Sequence, residues 1–145
     1  MTRPVLILLC GIPGSGKTTW AKNYISKNPD FAHLSSDAIR AELYGDENIQ
    51  GNPVEVFTLM QKKAVESLNA GYNVVYDATS MTRKDRAGII SMCPKFTHIQ
   101  CNIIWAPIET CIERDTEKKV LNKMKVIYLV LKELLQQIAF ILLFF

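Results

Sequence analysis

Short apolar runs and longer stretches of helical period alternate along this chain. Val5–Cys10 (VLILLC) is apolar throughout and stops at Gly11, the pattern of a strand buried on both faces. Residues 18–26 read as a helix that ends before Asn28, Pro29 and Asp30. Phe31–Ser35 suits a second strand, and Ser36 then stands as N-cap of a helix carrying Asp37, Arg40 and Tyr44. Residues 45–53 (GDENIQGNP) are polar and aperiodic. Over 54–70, Val54, Phe57, Met60, Ala64, Val65 and Leu68 fall at helical spacing, with Gly71 placed as C-cap. Asn73–Asp77 (NVVYD) reads as another buried strand, followed by a polar helix start at 80–90 (SMTRKDRAGII). A fourth strand lies within 97–105 (THIQCNIIW), and Pro107 opens a helix to about Asp115. Such alternation predicts an α/β fold of three layers, α/β/α, with an open parallel sheet of about four to five strands joined by right-handed crossovers.

The pattern changes after Asp115. Residues 116–145 contain no Gly, Pro, Asp or Arg and are dominated by Leu, Ile, Val, Phe and Lys. Lys125, Tyr128, Lys132 and Gln136 share one helical stripe, so an amphipathic helix is expected there. The uncharged run at 134–145 is well short of the roughly 20 residues a span needs. Extending it upstream brings in Lys132 and Glu133, each costing about 2.5–3.5 kcal/mol at a helix centre. No stable membrane association is expected. With no repeat and no interdomain linker, residues 1–145 read as one domain, with a core at 1–115 and a divergent, hydrophobic segment at 116–145.

Composition narrows little further. The net charge of +3 neither demands a nucleic-acid partner nor opposes an anionic substrate. Cys10, Cys93, Cys101 and Cys111 form no C-x-x-C pair and no zinc spacing with histidine, so they read as small buried apolar residues in a reducing, cytoplasmic setting.

The chemistry concentrates at residues 11–19 (GIPGSGKTT). Gly11, Gly16, Lys17 and Thr18 complete G-x-x-x-x-G-K-[ST] between a buried strand and a helix. That makes the fold class a P-loop NTPase. Gly11, Ile12, Pro13, Gly14, Ser15, Gly16, Lys17, Thr18 and Thr19 would form an anion nest around ATP phosphates, Pro13 giving shape and the others backbone N–H groups. Lys17 reaches the β- and γ-phosphates, and the Thr18 hydroxyl serves Mg²⁺.

The loop fixes the donor but not the acceptor. Asp37 and Arg40, three apart, are either an exposed ion pair or a general base beside a phosphate-binding fork. Asp77, ending its strand, is either a turn residue or a carboxylate at the Mg²⁺ waters. Arg83 and Arg86 share one helix face and suit either phosphate contacts or a solvated basic surface.

Taken together, GIPGSGKTTW, SSDAIRAELYG, YDATSMTRKDR and APIETCIERD resemble, in order and approximate spacing, the polynucleotide 5′-hydroxyl kinases of the phage kinase–phosphatase type. These belong to a wider P-loop kinase group that includes zeta-toxin-like and small-molecule kinases. The resemblance covers residues from about 4 to 115. It implies that Lys17 and Thr18 bind ATP·Mg²⁺, that Asp37 is the base on a 5′-OH of RNA or DNA, and that Arg40 holds the neighbouring phosphate. Asp77 would support the metal and acceptor, and Arg83 falls among the acceptor contacts. Arg114 matches the first lid arginine, while the position of the second, catalytic one is Lys118, which keeps the charge without the fork.

The family pattern fades beyond that point. A composition suited to out-of-frame translation of A/T-rich DNA predicts that the chain leaves its ancestral frame between about Asp115 and Lys125. The expectation is therefore an ATP-dependent kinase acting on a nucleic-acid 5′ end. The alternatives are a small-molecule or zeta-toxin-like kinase, or a nucleotide-binding module with weak or no catalysis because its lid is altered.

Overall fold

The computed structural model describes residues 2–115 and 130–138. Nine elements follow one another as β1 (Val5–Cys10), α1 (Lys17–Lys27), β2 (Phe31–Ser35), α2 (Ser36–Tyr44), α3 (Pro53–Asn69), β3 (Asn73–Asp77), α4 (Arg83–Met92), β4 (His98–Ile103) and α5 (Ile108–Asp115). A further helix, α6, covers residues 130–138. Every strand pairing is parallel, in the order β2-β3-β1-β4.

β1 is the axis of the molecule. Leu6, Leu8 and Cys10 face one side with Val74, Tyr76 and Ala78, under Ile39 of α2, Val56, Met60, Ala64 and Leu68 of α3, and Ile89 of α4. Ile7 and Leu9 face the other side with Val75, under Ala21, Trp20, Tyr24 and Ile25 of α1. Alternate side chains of one apolar run thus fill two cores, which is why β1 shows no polar position and why the architecture has three layers. A third, smaller cluster joins Ile12, Met81 and Cys111 to Ala106, Ile108, Val130 and Leu134, seating α5 and α6 at the carboxyl end of the sheet.

Three local expectations need correction. Ser35, not Ser36, caps α2: its extended backbone lets its Oγ accept from the N–H of Ala38 at 3.0 Å, while Ser36 is already helical. The buried stripe of α3 starts at Val56, whereas Val54 is 73% exposed. The helix begins at Pro53 behind an Asn52 cap, so Val54 lies in its first turn beyond the sheet. Gly71 lies one position past the C-cap, Ala70. Its φ of +86° closes a Schellman turn, with Gly71 N–H to Leu68 O at 3.1 Å and Tyr72 N–H to Ser67 O at 3.0 Å.

The cysteines also divide differently from expectation. Cys10 and Cys111 are buried and Cys93 is half-buried, but Cys101 is exposed. Cys101 lies on β4, which pairs with β1 alone and is bordered by no other strand among the described residues. Of the stripe expected on the last helix, Lys132 and Gln136 are exposed as required, and Lys125 and Tyr128 lie outside the described residues. Among the described residues no helix is long and apolar enough to cross a membrane.

Candidate functional site

The strand order puts β3 directly beside β1, and α1 leaves β1 to reach β2 on the far side of β3. A crevice therefore opens at the carboxyl ends of β1 and β3, where ligands of open α/β sheets sit. Residues 11–16 bridge β1 to α1 across this crevice.

The loop is built for an anion. Gly16 caps α1 with φ of 99°, a left-handed conformation that glycine adopts freely. No side chain caps the helix and its first turn carries no acidic residue. The first N–H groups of α1 and the positive end of its dipole are thus left for a bound group. Gly11 is fixed by crowding: a Cβ there would stand 2.5 Å from the Ile104 carbonyl oxygen and 2.6 Å from Ser15 Oγ. Ser15 is buried, and among the described residues its Oγ has no hydrogen-bond partner, the mark of a hydroxyl left for a ligand. Lys17 folds back over the loop, its Nζ donating to Gly11 O at 2.9 Å and Ile12 O at 3.0 Å. Burial pulls the Lys17 pKa down, and the carboxylates of Asp77 and Asp37 oppose that shift. Both acids therefore lie within electrostatic reach of the loop lysine.

Asp77 ends β3 at 3% exposure. Its Oδ2 accepts from Thr18 Oγ1 at 2.8 Å and lies 3.0 Å from His33 Nε2. The Thr18 hydroxyl spends its hydrogen on the carboxylate, leaving its oxygen lone pairs for a cation. His33 was not singled out by the sequence, because its proximity to Asp77 depends on the β2–β3 register.

Asp37 and Arg40 share a face of α2 and form an ion pair, Asp37 being 46% exposed and Arg40 only 14%. The Arg40 Nε also donates to Glu47 O at 3.2 Å, so this guanidinium ties α2 to the loop after it. That loop is held further by Tyr44, whose hydroxyl donates to Glu55 Oε2 at 2.8 Å and accepts from Asn52 N–H at 3.0 Å.

The remaining basic residues separate. Arg114, in the last turn of α5, donates to Gly14 O at 3.1 Å and so stands over the loop. Arg83 is exposed at the start of α4, and among the described residues no hydrogen bond or ion pair joins it to the cluster. Arg86 is half-buried and engaged within the fold, not part of a solvated face. Its guanidinium donates to Ser80 O at 3.0 Å, Met81 O at 2.7 Å and Gln137 Oε1 at 2.7 Å, fastening the turn after β3 to α6. Lys118 lies outside the described residues.

The donor set suits ATP·Mg²⁺. Among the described residues no three His, Cys, Asp or Glu side chains form a cage for a metal. Mg²⁺ needs none, since it takes one or two protein oxygens together with phosphates and waters. Thr18 and Asp77 supply such a pair beside an uncapped helix start and a buried lysine.

A family model described as an AAA domain matches residues 6–141. The fold is also that of several solved structures. A chain of the Pnkp1/Rnl/Hen1 RNA repair complex is 20% identical, with 96% of this chain and 47% of that chain covered at a TM-score of 0.80. A chain of another Pnkp1/Rnl/Hen1 structure is 24% identical, covering 79% of this chain and 40% of that one at 0.70. The APS kinase CysC of Mycobacterium tuberculosis, solved with AMPPNP and APS, is 19% identical over 79% of this chain and 70% of its own at 0.62. The chain thus spans less than half the length of the RNA-repair chains it matches.

Proposed function

The chain belongs to the AAA domain family, and we propose that it is a P-loop kinase that transfers the γ-phosphoryl group of ATP to a hydroxyl, the 5′-OH end of RNA or DNA. The observation that carries this reading is the pair of carboxylates around Lys17. Asp77 is buried and bound to Thr18, as a metal-side group would be, whereas Asp37 is half exposed, paired with Arg40 and open on its other side to solvent. An ATPase needs a group that positions water. A kinase needs a base at the acceptor hydroxyl, and Asp37 is our candidate for that base.

In this reading the loop N–H groups and Lys17 hold the triphosphate. Thr18 and Asp77 would hold Mg²⁺, which would supply charge neutralisation for the transferred group. Asp37 takes the proton of the attacking hydroxyl, and Arg40 turns one face of its fork to the adjacent phosphate. Arg114, hydrogen-bonded to the Gly14 carbonyl, would serve the donor phosphates, and Lys118 matches the second lid arginine by sequence position alone. Residues 1–145 act as one domain, with 1–115 carrying the catalytic core and 116–145 the lid and tail. Four free cysteines suit a reducing compartment such as the cytoplasm. Similarity to a chain of an RNA repair complex supports a nucleic-acid acceptor, and similarity to APS kinase keeps a small hydroxyl acceptor as the second reading.

Incubation with γ-labelled ATP, Mg²⁺ and either 5′-OH or 5′-phosphate oligonucleotides tests the proposal. Label should enter only the 5′-OH strands. Saturable ATP binding with no labelled oligonucleotide would refute a nucleic-acid acceptor.

A further inference from the structure

β2 contains one side chain that its position does not call for. Phe31, Ala32 and Leu34 are apolar, as a strand between α1 and α3 requires, but the centre of the strand is His33. His33 is in register with Val75, and Ser35 with Asp77. Paired residues in a parallel sheet share a face. His33, Val75, Ser35 and Asp77 therefore all face α1, the side on which Val75 is buried. The imidazole thus occupies ground where an apolar residue would pack, with 23% of its side chain exposed. A polar ring there costs stability unless it is bonded. Its partner is Asp77 Oδ2, diagonally across the β2–β3 pair at 3.0 Å.

We infer that His33 is a positioning residue for the metal site, which fixes the Asp77 carboxylate independently of Thr18. A carboxylate only accepts, so the Nε2 of His33 is the donor in this bond. Oδ2 then carries two donors, His33 from β2 and Thr18 from α1. The two differ in what a cation does to them. Thr18 is itself a prospective Mg²⁺ ligand, so its hydroxyl orientation is set jointly by the metal and Asp77. Among the described residues the hydrogen bond of His33 goes to the carboxylate and not to Thr18, so it does not depend on whether the Thr18 oxygen is engaged. It holds Asp77 in one orientation through loading and release of the nucleotide, the role that outer partners play around many metal sites.

This inference rests on the assignment of Thr18 and Asp77 to ATP·Mg²⁺, and the experiment separates the two. Binding of a fluorescent ATP analogue is titrated with Mg²⁺ for wild type, His33→Leu and His33→Gln, with binding in EDTA and the thermal midpoint measured alongside. Leucine fills the apolar position without a donor, and glutamine carries an amide that can replace Nε2. The expected result is a half-saturating Mg²⁺ concentration raised about 10- to 100-fold in His33→Leu. Metal-free affinity should stay within about twofold, and His33→Gln should recover most of the Mg²⁺ response. An unshifted Mg²⁺ curve in His33→Leu overturns the inference. So does an equal loss in both variants that tracks their thermal midpoints, since that describes a packing role. A wild-type protein that binds the analogue under no condition overturns the kinase reading itself.

Discussion

The Thr18 hydroxyl and the Asp77 carboxylate, 59 positions apart in sequence, meet in a hydrogen bond of 2.8 Å. One belongs to the first turn of α1 and the other to the tip of β3, so the bond closes the crevice between loop and sheet. Replacing Asp77 with Asn keeps the size but removes the charge beside the prospective metal. Phosphoryl transfer should fall by roughly 10- to 100-fold at fixed Mg²⁺ and recover in part as Mg²⁺ is raised. A Mg²⁺ titration of initial rates checks this, and an unchanged Mg²⁺ requirement would remove Asp77 from the metal site.

On the proposed function, Asp37 should separate binding from chemistry. Its carboxylate pairs with Arg40 on α2, outside residues 11–19. Asp37→Asn should therefore lower transfer by about 10²- to 10⁴-fold, the usual contribution of a general base, and leave ATP affinity within about twofold. Isothermal titration with ATP and a single-turnover transfer assay distinguish the outcomes. A collapse of ATP affinity would show that the residue serves the donor side.

Gly51 sets the shape of the loop between α2 and α3. It has φ of +56°, and a Cβ there would stand 2.1 Å from the Tyr44 ring. That ring cannot swing aside without breaking its hydroxyl bonds to Glu55 and Asn52. Gly51→Ala should destabilise the protein by about 1–3 kcal/mol, measured as a lower urea midpoint. Gly45→Ala, with φ of +78° but nothing within 4 Å, should cost less.

The four thiols should react in an order set by burial. Burial, with a smaller push from Cys101, raises the Cys10 pKa from 9.0 to about 11. The raised value means less thiolate: near pH 8 Cys10 carries about a hundredfold less of the reactive form than an ordinary thiol. Burial also raises Cys93 and Cys111. Alkylation of the native protein at pH 8, followed by peptide mass mapping, should label Cys101 first and the buried Cys10 and Cys111 last. Early labelling of Cys10 would mean that β1 is open to solvent.

Much of the scaffold was legible from the chain. The apolar run of β1 and the 74–76 stretch of β3 suited strands covered on both sides, and the G-x-x-x-x-G-K-T stretch fixed a phosphate loop between strand and helix. Errors arose where a boundary turns on one dihedral angle, as at Ser35 against Ser36. They also arose where exposure depends on a neighbour, as at Cys101 on an edge strand.

The roles of the polar residues divided in the same way. Sequence by itself determined the phosphate loop of the fold, because such a loop is made of consecutive residues and its pattern is local. Spacing placed Asp37 beside Arg40, yet it could not separate Arg83, which stays exposed, from Arg86, which fastens the turn after β3 to α6. Nor could it reveal that His33 and Thr18 share the Asp77 carboxylate. Such contacts rest on which strands are neighbours and in what register. Strand pairing joins backbone to backbone and leaves little trace in the side-chain order, so only the tertiary structure decided them.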